Sequence, residues 1–199
     1  MVTNFLDSGF HRSDDFLEFR HICVPYSSLA QMQLPAGNVR PIEFLESQHS
    51  DRGEFMDEKV KEAIFRKIEN EPFAKKFGIK LLELDEGYSK VEMKFTPDKE
   101  NFLGMAHGGA LFALIDEAFE TASNSHGTVA VALNMNITFI APPPPMSRLT
   151  AEAREFSRTQ RTAVYDIKLV DDQNNLIASC EALVYRKGTI LPFLKHEQS

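Results

Sequence analysis

The fold of this 199-residue chain is decided by one stretch, Asn101-Phe102-Leu103-Gly104-Met105-Ala106-His107-Gly108-Gly109-Ala110-Leu111-Phe112-Ala113-Leu114-Ile115-Asp116. From Ala110 onward the stretch is apolar and helix-forming, and the two glycines before it mark where the helix begins. Glycines at a helix start leave backbone N–H groups uncovered by side chains, at the positive end of the helix dipole. This combination suits a carbonyl oxygen that becomes an oxyanion. The carboxylate of Asp116, on an otherwise apolar helix, is a candidate catalytic group.

The spacing of these groups has a consequence for assembly. Gly108 and Asp116 are eight residues apart, which is roughly 12 Å along a helix. An oxyanion donor and an attacking group must each lie about 3 Å from the same reacting carbonyl. One helix cannot satisfy both, whereas two antiparallel copies can, with Gly108 of one copy facing Asp116 of the other. If both residues are catalytic, the spacing predicts at least a homodimer.

A regular pattern of elements surrounds this helix from Met56 onward. Asp57 caps a short helix with one apolar face, which Pro72 ends. The expected strands are 79–84, 90–95, 129–140, 149–154, 163–170 and 176–185. Short turns between the later strands indicate antiparallel pairing, and a helix that is apolar on more than one face needs to be wrapped. The pattern predicts an α+β domain with a curved antiparallel sheet of about six strands around one long central helix.

Residues 1–55 differ from the rest of the chain. They contain no lysine, whereas the remainder carries twelve. Prolines and glycine break the segment repeatedly after one short helical pattern. Two interpretations stay open: a loose N-terminal extension, or translation that normally begins at Met56. The expected organisation is an extension over 1–55, a domain over 56–189 and a tail over 190–199.

Composition excludes several classes of protein. The formal net charge is −7 and the pI is near 5.4, which argues against nucleic acid as a partner. The two cysteines, Cys23 and Cys180, give neither a disulfide framework nor a zinc cluster. No apolar run reaches the roughly 18 residues of a membrane span, and no signal-peptide pattern begins the chain. These features predict a cytoplasmic protein without a membrane partner.

Other catalytic machinery has no signature here. No His-x-x-x-His or Cys-x-x-Cys spacing indicates a metal centre. No Gly-x-Ser-x-Gly turn indicates a serine hydrolase, and no glycine-rich phosphate loop indicates a nucleotide site. We therefore expect no metal and no separate cofactor.

The order of elements and this motif resemble the hotdog fold, and in detail the phenylacetate-pathway (PaaI-type) acyl-CoA thioesterases of the 4-hydroxybenzoyl-CoA thioesterase superfamily. The resemblance covers roughly 56–186. The residues that carry it are Asn101-x-x-Gly104-x-x-His107-Gly108-Gly109, Leu111-Phe112-x-Leu114-x-Asp116, Asn124-Ser125-x-Gly127 and Asn136-Ile137-Thr138-Phe139 with the prolines that follow.

The resemblance implies roles for four residues. The backbone N–H of Gly108 polarises the thioester carbonyl, and Asp116 acts as general base on water or as nucleophile. Asn101 and His107 help to order the site. It also implies composite sites across a homodimer, and a dimer of dimers. Some relatives hold the water with a serine or threonine at a position that corresponds to Ala132, which has no hydroxyl; Thr128 and Asn134 are possible substitutes.

Each of these residues also has a purely structural interpretation. Asp116 could be a solvated surface acid beside Glu117, which points roughly 100° away on the helix. The glycines could serve close packing of the helix start, and His107 and Asn101 could only organise the loop. Arg158, Arg161 and Lys168 are candidate partners for coenzyme A phosphates, although exposed cations on strands are usually just solvated.

The best-supported function is an acyl-CoA thioesterase that cleaves an aryl-acetyl or medium-chain acyl-CoA to a free acid and coenzyme A. Coenzyme A is then part of the substrate and not a cofactor. The first alternative is a non-catalytic acyl-CoA sensor, which would give residues 1–55 a task. The second is a hydratase or dehydratase, whose histidine and acid signature the His107-Gly108-Gly109 run does not resemble.

Overall fold

The computed structural model describes residues 56–197; the N-terminal extension, with the two interpretations of it, lies outside the described residues. The helices are α1 (Glu58–Asn70), α2 (Pro72–Phe77) and α3 (Gly108–Asn124). The strands are β1 (Lys80–Asp85), β2 (Tyr88–Lys94), β3 (Thr128–Phe139), β4 (Arg148–Arg158), β5 (Thr162–Val170) and β6 (Leu176–Ile190). Short 3-10 segments cover Pro97–Lys99 and Pro192–Glu197.

The six strands form one antiparallel sheet in the order β1-β2-β4-β5-β6-β3. Helix α3 connects β2 to β3 and packs on the inner face of the sheet, with contacts to all six strands. This arrangement confirms the predicted α+β hotdog architecture. It also leaves β3 as an edge strand, directly after the helix that carries the motif.

The core lies between α3 and the inward side chains of the sheet. Leu114, Ile115 and Phe119 on the helix are at most 1% exposed. Small residues on β4, Ala151 and Ala153, are also fully buried, and we attribute the close approach of helix and strand to them. A helix buried on so many sides is fixed in position, which is a useful property for a helix that carries reactive groups.

The structure departs from the sequence prediction at the ends of several elements. Pro72 ends α1 as expected but also begins α2, because proline is well suited to the first position of a helix. Gly78, with φ of +70°, then ends α2 in the left-handed conformation that glycine adopts at little cost. The last strand continues to Ile190, so the expected tail begins within β6 and continues as the 3-10 segment.

The edge strand β3 is exposed on both faces. Leu133 and Phe139 are 57% and 53% exposed, and the neighbouring Asn134 and Asn136 are exposed too. Four successive residues, 131–134, are exposed because the pairing with β6 shifts between Ala132 and Asn134, where the strand bulges; beyond the bulge, half-buried Met135 and Ile137 alternate with exposed residues. In this single chain, β3 therefore presents apolar side chains together with the unpaired backbone groups of a sheet edge.

Candidate active site

The start of α3 is organised by His107. This residue is the N-cap, and its Nδ1 accepts a hydrogen bond from the N–H of Gly109 at 2.9 Å. Its carbonyl oxygen accepts the N–H of Ala110 at 2.9 Å. Because Nδ1 is an acceptor, the neutral imidazole carries its proton on Nε2. Among the hydrogen bonds of the described residues none is donated by the N–H of Gly108, which is therefore the available donor at this helix start.

The two glycines differ in what a side chain would meet. A Cβ on Gly109 would lie 3.0 Å from Nδ1 of His107 and would disturb the cap. A Cβ on Gly108 would lie 3.4 Å from the ring of Phe139, a tight but tolerable contact. The cap therefore explains why residue 109 is a glycine, whereas the glycine at position 108 leaves space beside its own unbonded N–H.

Asn101 organises the loop that leads into α3. Its Oδ1 accepts the N–H groups of Leu103 and Met105 at 2.8 and 3.2 Å. Its backbone N–H donates to the carbonyl oxygen of Met105 at 2.7 Å. The side-chain oxygen is thus engaged within the loop, so this chain shows Asn101 shaping the approach to the helix start.

Asp116 is half-buried at the middle of α3. Burial, followed by the negative charge of Glu71, raises the pKa of its carboxyl above the usual value for aspartate. A carboxylate with a raised pKa is a stronger base. Asp116 is therefore not a fully solvated surface acid.

A cavity of about 720 Å³ lies beside Asp116, between α1, α3, β3 and the C-terminal 3-10 segment. Its wall is largely apolar. The lining residues include Ile64, Ile68, Phe119, Val129, Ala132 and Phe193. Glu71, Glu120 and Asn124 supply a polar side to the same cavity. The volume and the mixed lining are those of a site for a small organic group.

Sequence analysis missed the environment of Glu117. This side chain is 3% exposed, and burial, the charge of Glu71 and a hydrogen bond to Glu71 raise its pKa to about 8. Glu117 is therefore a buried acid that is neutral at pH 7, and not an exposed residue beside Asp116. The signal was present in the sequence, because a helix that is apolar on several faces leaves few exposed positions.

Ala132, at the position where the resemblance implies a hydroxyl, lines the cavity together with Asp116 and contributes only a methyl group. Two hydroxyl residues of α3, Thr121 and Ser123, also line the cavity, and their hydroxyls donate to Ser89 and to carbonyl oxygens of α3. Neither Thr128 nor Asn134 is among the lining residues.

Arg158 lies in an ion-pair cluster near the C-terminal end of α3. Its Nε is 3.1 Å from Oε1 of Glu155, and its Nη1 is 3.7 Å from Oε1 of Glu86. His126 bridges the same two carboxylates at 2.8 and 2.7 Å. Arg161 is exposed in the turn between β4 and β5, and Lys168 is exposed on β5. Arg158 thus lies at the opposite end of α3 from Gly108.

Residues 56–197 contain neither a cluster of metal ligands nor a membrane-spanning helix. No group of three or more His, Cys, Asp or Glu side chains in this part of the chain could hold a metal ion. No helix among these residues is long and apolar enough to cross a membrane.

Comparison with known proteins identifies the family and agrees with the fold. Residues 103–178 match the model of the thioesterase superfamily. The acyl-coenzyme A thioesterase PaaI of Escherichia coli is 38% identical over 120 residues, which are 60% of this chain and 86% of that protein. The structure of E. coli PaaI superposes with a TM-score of 0.65 at 35% identity and covers 68% of this chain and 98% of the other. The TT0310 protein of Thermus thermophilus gives a TM-score of 0.56 at 37% identity, over 59% and 98% of the two chains.

Proposed function

The chain belongs to the thioesterase superfamily and is a thioester hydrolase, and on that premise we propose that it converts an aryl-acetyl or medium-chain acyl-CoA to the free acid and coenzyme A. The observation that carries the proposal is the free N–H of Gly108 on the same helix as the half-buried Asp116. E. coli PaaI, of which this chain matches 86%, is named as an acyl-coenzyme A thioesterase.

The two groups fit the two halves of thioester hydrolysis. The N–H of Gly108, at the positive end of α3, donates a hydrogen bond to the carbonyl oxygen and stabilises the negative charge that develops there. Asp116 removes a proton from water as the water oxygen bonds to the carbonyl carbon. The tetrahedral intermediate then collapses, the C–S bond breaks, and the thiolate of coenzyme A leaves and takes up a proton. Direct attack by Asp116, followed by hydrolysis of the resulting anhydride, uses the same geometry.

The site requires a second copy of the chain. Both residues lie on α3, eight positions apart, so one thioester cannot reach Gly108 and Asp116 of the same protomer. The edge strand β3, which follows α3, offers unpaired backbone groups and exposed Val131 and Leu133. Pairing of two β3 strands about a two-fold axis would extend the sheet and place two antiparallel α3 helices side by side. We propose this homodimer as the catalytic unit, with a dimer of dimers as the higher assembly.

Substrate recognition is divided between the cavity and the surface. The apolar wall formed by Ile64, Phe119 and Phe193 suits an aryl or medium-chain acyl group. Arg161, which is exposed, remains a candidate partner for the phosphates of coenzyme A. Arg158 would have to exchange its carboxylate partners for a phosphate, so we expect it to contribute less.

The direct test is the release of free thiol from a panel of acyl-CoAs, with phenylacetyl-, hexanoyl-, octanoyl- and acetyl-CoA as substrates. We expect aryl-acetyl or medium-chain substrates to give the highest kcat/KM, because they fill the cavity. Glu69→Gln, at an exposed position on α1, serves as a matched control for protein quality. Saturable acyl-CoA binding without thiol release from any substrate would contradict the proposal and favour a sensor.

A further inference from the structure

The corner between α1 and α2 touches α3 through two acids. Glu71 is the residue between the two helices, and its backbone is fixed by bonds from its N–H to Ile68 and from Lys75 to its carbonyl. Its side chain faces Glu117, which lies on α3 directly after Asp116. The corner also supplies part of the cavity wall, because Glu71 and Pro72 both line it.

Each of the two carboxyl groups has a buried oxygen atom that receives no hydrogen bond from the described residues. Oε2 of Glu71 and Oε1 of Glu117 are buried and have no N–H or O–H donor among the described residues. The Glu117 carboxyl is nevertheless within hydrogen-bonding reach of Glu71. Two ionised carboxylates offer only acceptors, so this contact requires a proton between them. Without that proton, two buried charges would face each other unpaired.

We propose that Glu71 and Glu117 share one proton, and that their hydrogen bond positions the α1–α2 corner against α3 and so keeps the cavity wall beside Asp116 closed. Both are positioning residues, because neither is required to touch the reacting atoms. Loss of the proton would replace the hydrogen bond with repulsion and move the corner away from α3.

The surroundings of the pair favour the protonated state. On α3, Asp116 and Glu120 add negative charge on either side of Glu117, and each raises its pKa further, after burial and Glu71. The lining residues from β3 and from 191–193 include no titratable group. The cations of the corner are directed elsewhere: Nζ of Lys67 lies 5.6 Å from the ring centre of Phe193, and Nζ of Lys75 donates to Asn70.

The protonation state can be measured directly. In protein with carbon-13-labelled glutamate, NMR should show one protonated side-chain carboxyl at pH 7 that titrates near pH 8. Glu117→Gln should remove that signal. If the Glu117 carboxyl is already ionised at neutral pH, the shared proton is excluded. This measurement does not depend on catalysis, so its failure is distinct from a failure of the proposed function.

The positioning role rests on the proposed function and is tested by the pH dependence of KM. In the wild type we expect KM for the best acyl-CoA to rise about fivefold above pH 8, as one charge-assisted hydrogen bond is lost. Glu117→Gln keeps a donor to Glu71 at every pH, so its KM should no longer change with pH. Glu117→Leu, which has no donor, should show the high KM throughout.

A matched control separates the hydrogen bond from general electrostatics. Glu120→Gln removes a neighbouring charge from the same helix but leaves the pair intact. Its KM should still rise with pH. Because the negative charge of Glu120 opposes ionisation of Glu117, its removal should shift the transition to lower pH. A pH-independent KM in the wild type, or a transition that persists in Glu117→Gln, would overturn the positioning role.

Discussion

Nδ1 of His107 accepts the N–H of Gly109 at 2.9 Å, and this bond decides which donor remains at the start of α3. The next N–H, that of Ala110, is satisfied by the carbonyl oxygen of His107. The histidine thus acts as a cap that accepts the hydrogen bond of the neighbouring N–H, and the N–H of Gly108 has no acceptor among the described residues. Its contribution to the proposed reaction is the geometry of this helix start, and it need not transfer a proton.

Replacing Gly108 with proline isolates the contribution of that donor. Proline removes the N–H but suits the first position of a helix. The extended conformation of His107, with φ of −68° and ψ of 126°, is the one that a residue before proline prefers. We expect kcat to fall about 10²- to 10³-fold, as for the loss of an oxyanion donor. Gly108→Ala keeps the N–H and adds the same Cβ near Phe139, and should lose less than about tenfold.

Asp116→Asn tests the base or nucleophile. The amide has nearly the same shape but cannot accept a proton from water or form an anhydride, so we expect kcat to fall about 10²- to 10⁴-fold. Thiol release measures the loss, and thermal unfolding verifies that the variant is folded. Near-normal hydrolysis by a folded Asp116→Asn protein would remove Asp116 from the mechanism.

Much of this site could be predicted from the sequence because its signals are local. The glycines and Asp116 lie in one short motif, and the spacing along a helix follows from helix geometry alone. The burial of Glu117 could be inferred from the apolar helix, but its contact with Glu71 could not, because it depends on the α1–α2 corner, about 45 residues earlier, folding back onto α3. The same holds for the cavity, whose walls come from segments that are distant in the chain, such as Ile64 and Phe193.

The strands also differ in how well the sequence alone predicts their buried and exposed residues. Alternation predicted β2 well, because one of its faces is fully buried and the other is half-buried and polar. Alternation failed over 131–134 of β3, where four successive residues are exposed, and holds from Met135 to Thr138. The bulge at Leu133 then shifted the register.

A composite site makes a specific prediction for mixtures of inactive variants. Gly108→Pro and Asp116→Asn should each be nearly inactive as homodimers. In a mixed dimer, Gly108 of the Asp116→Asn chain and Asp116 of the other chain form one intact site. Random exchange of protomers should therefore restore about a quarter of wild-type activity. Co-expression with two affinity tags isolates the mixed dimer, which should show about half of the wild-type activity per dimer, because one of its two sites is intact.

The absence of complementation in a verified mixed dimer would contradict a site shared between two protomers. Analytical ultracentrifugation of the wild type gives the necessary control for assembly. A wild type that is active as a monomer would contradict the composite site directly.

The charge of Glu71 should affect the acidic limb of the pH profile of kcat/KM. Asp116 must be ionised to act, so activity falls as the pH drops through its raised pKa. Burial and the negative charge of Glu71 both raise that pKa, and Glu71→Gln removes the second cause while keeping a polar side chain. We expect the acidic limb of kcat/KM to shift to lower pH in this variant. Glu69→Gln, two residues earlier and exposed on α1, should leave the limb unchanged.

Restoring a hydroxyl at Ala132 should improve the enzyme. The residue lies on β3 and lines the cavity with Asp116, so a threonine there can donate to or accept from the attacking water. Threonine also suits a strand. One added hydrogen bond of about 1 kcal/mol in the transition state corresponds to roughly a fivefold rise in kcat. Ala132→Val has the same shape without the hydroxyl, so a rise shared by both variants would point to packing instead of to water.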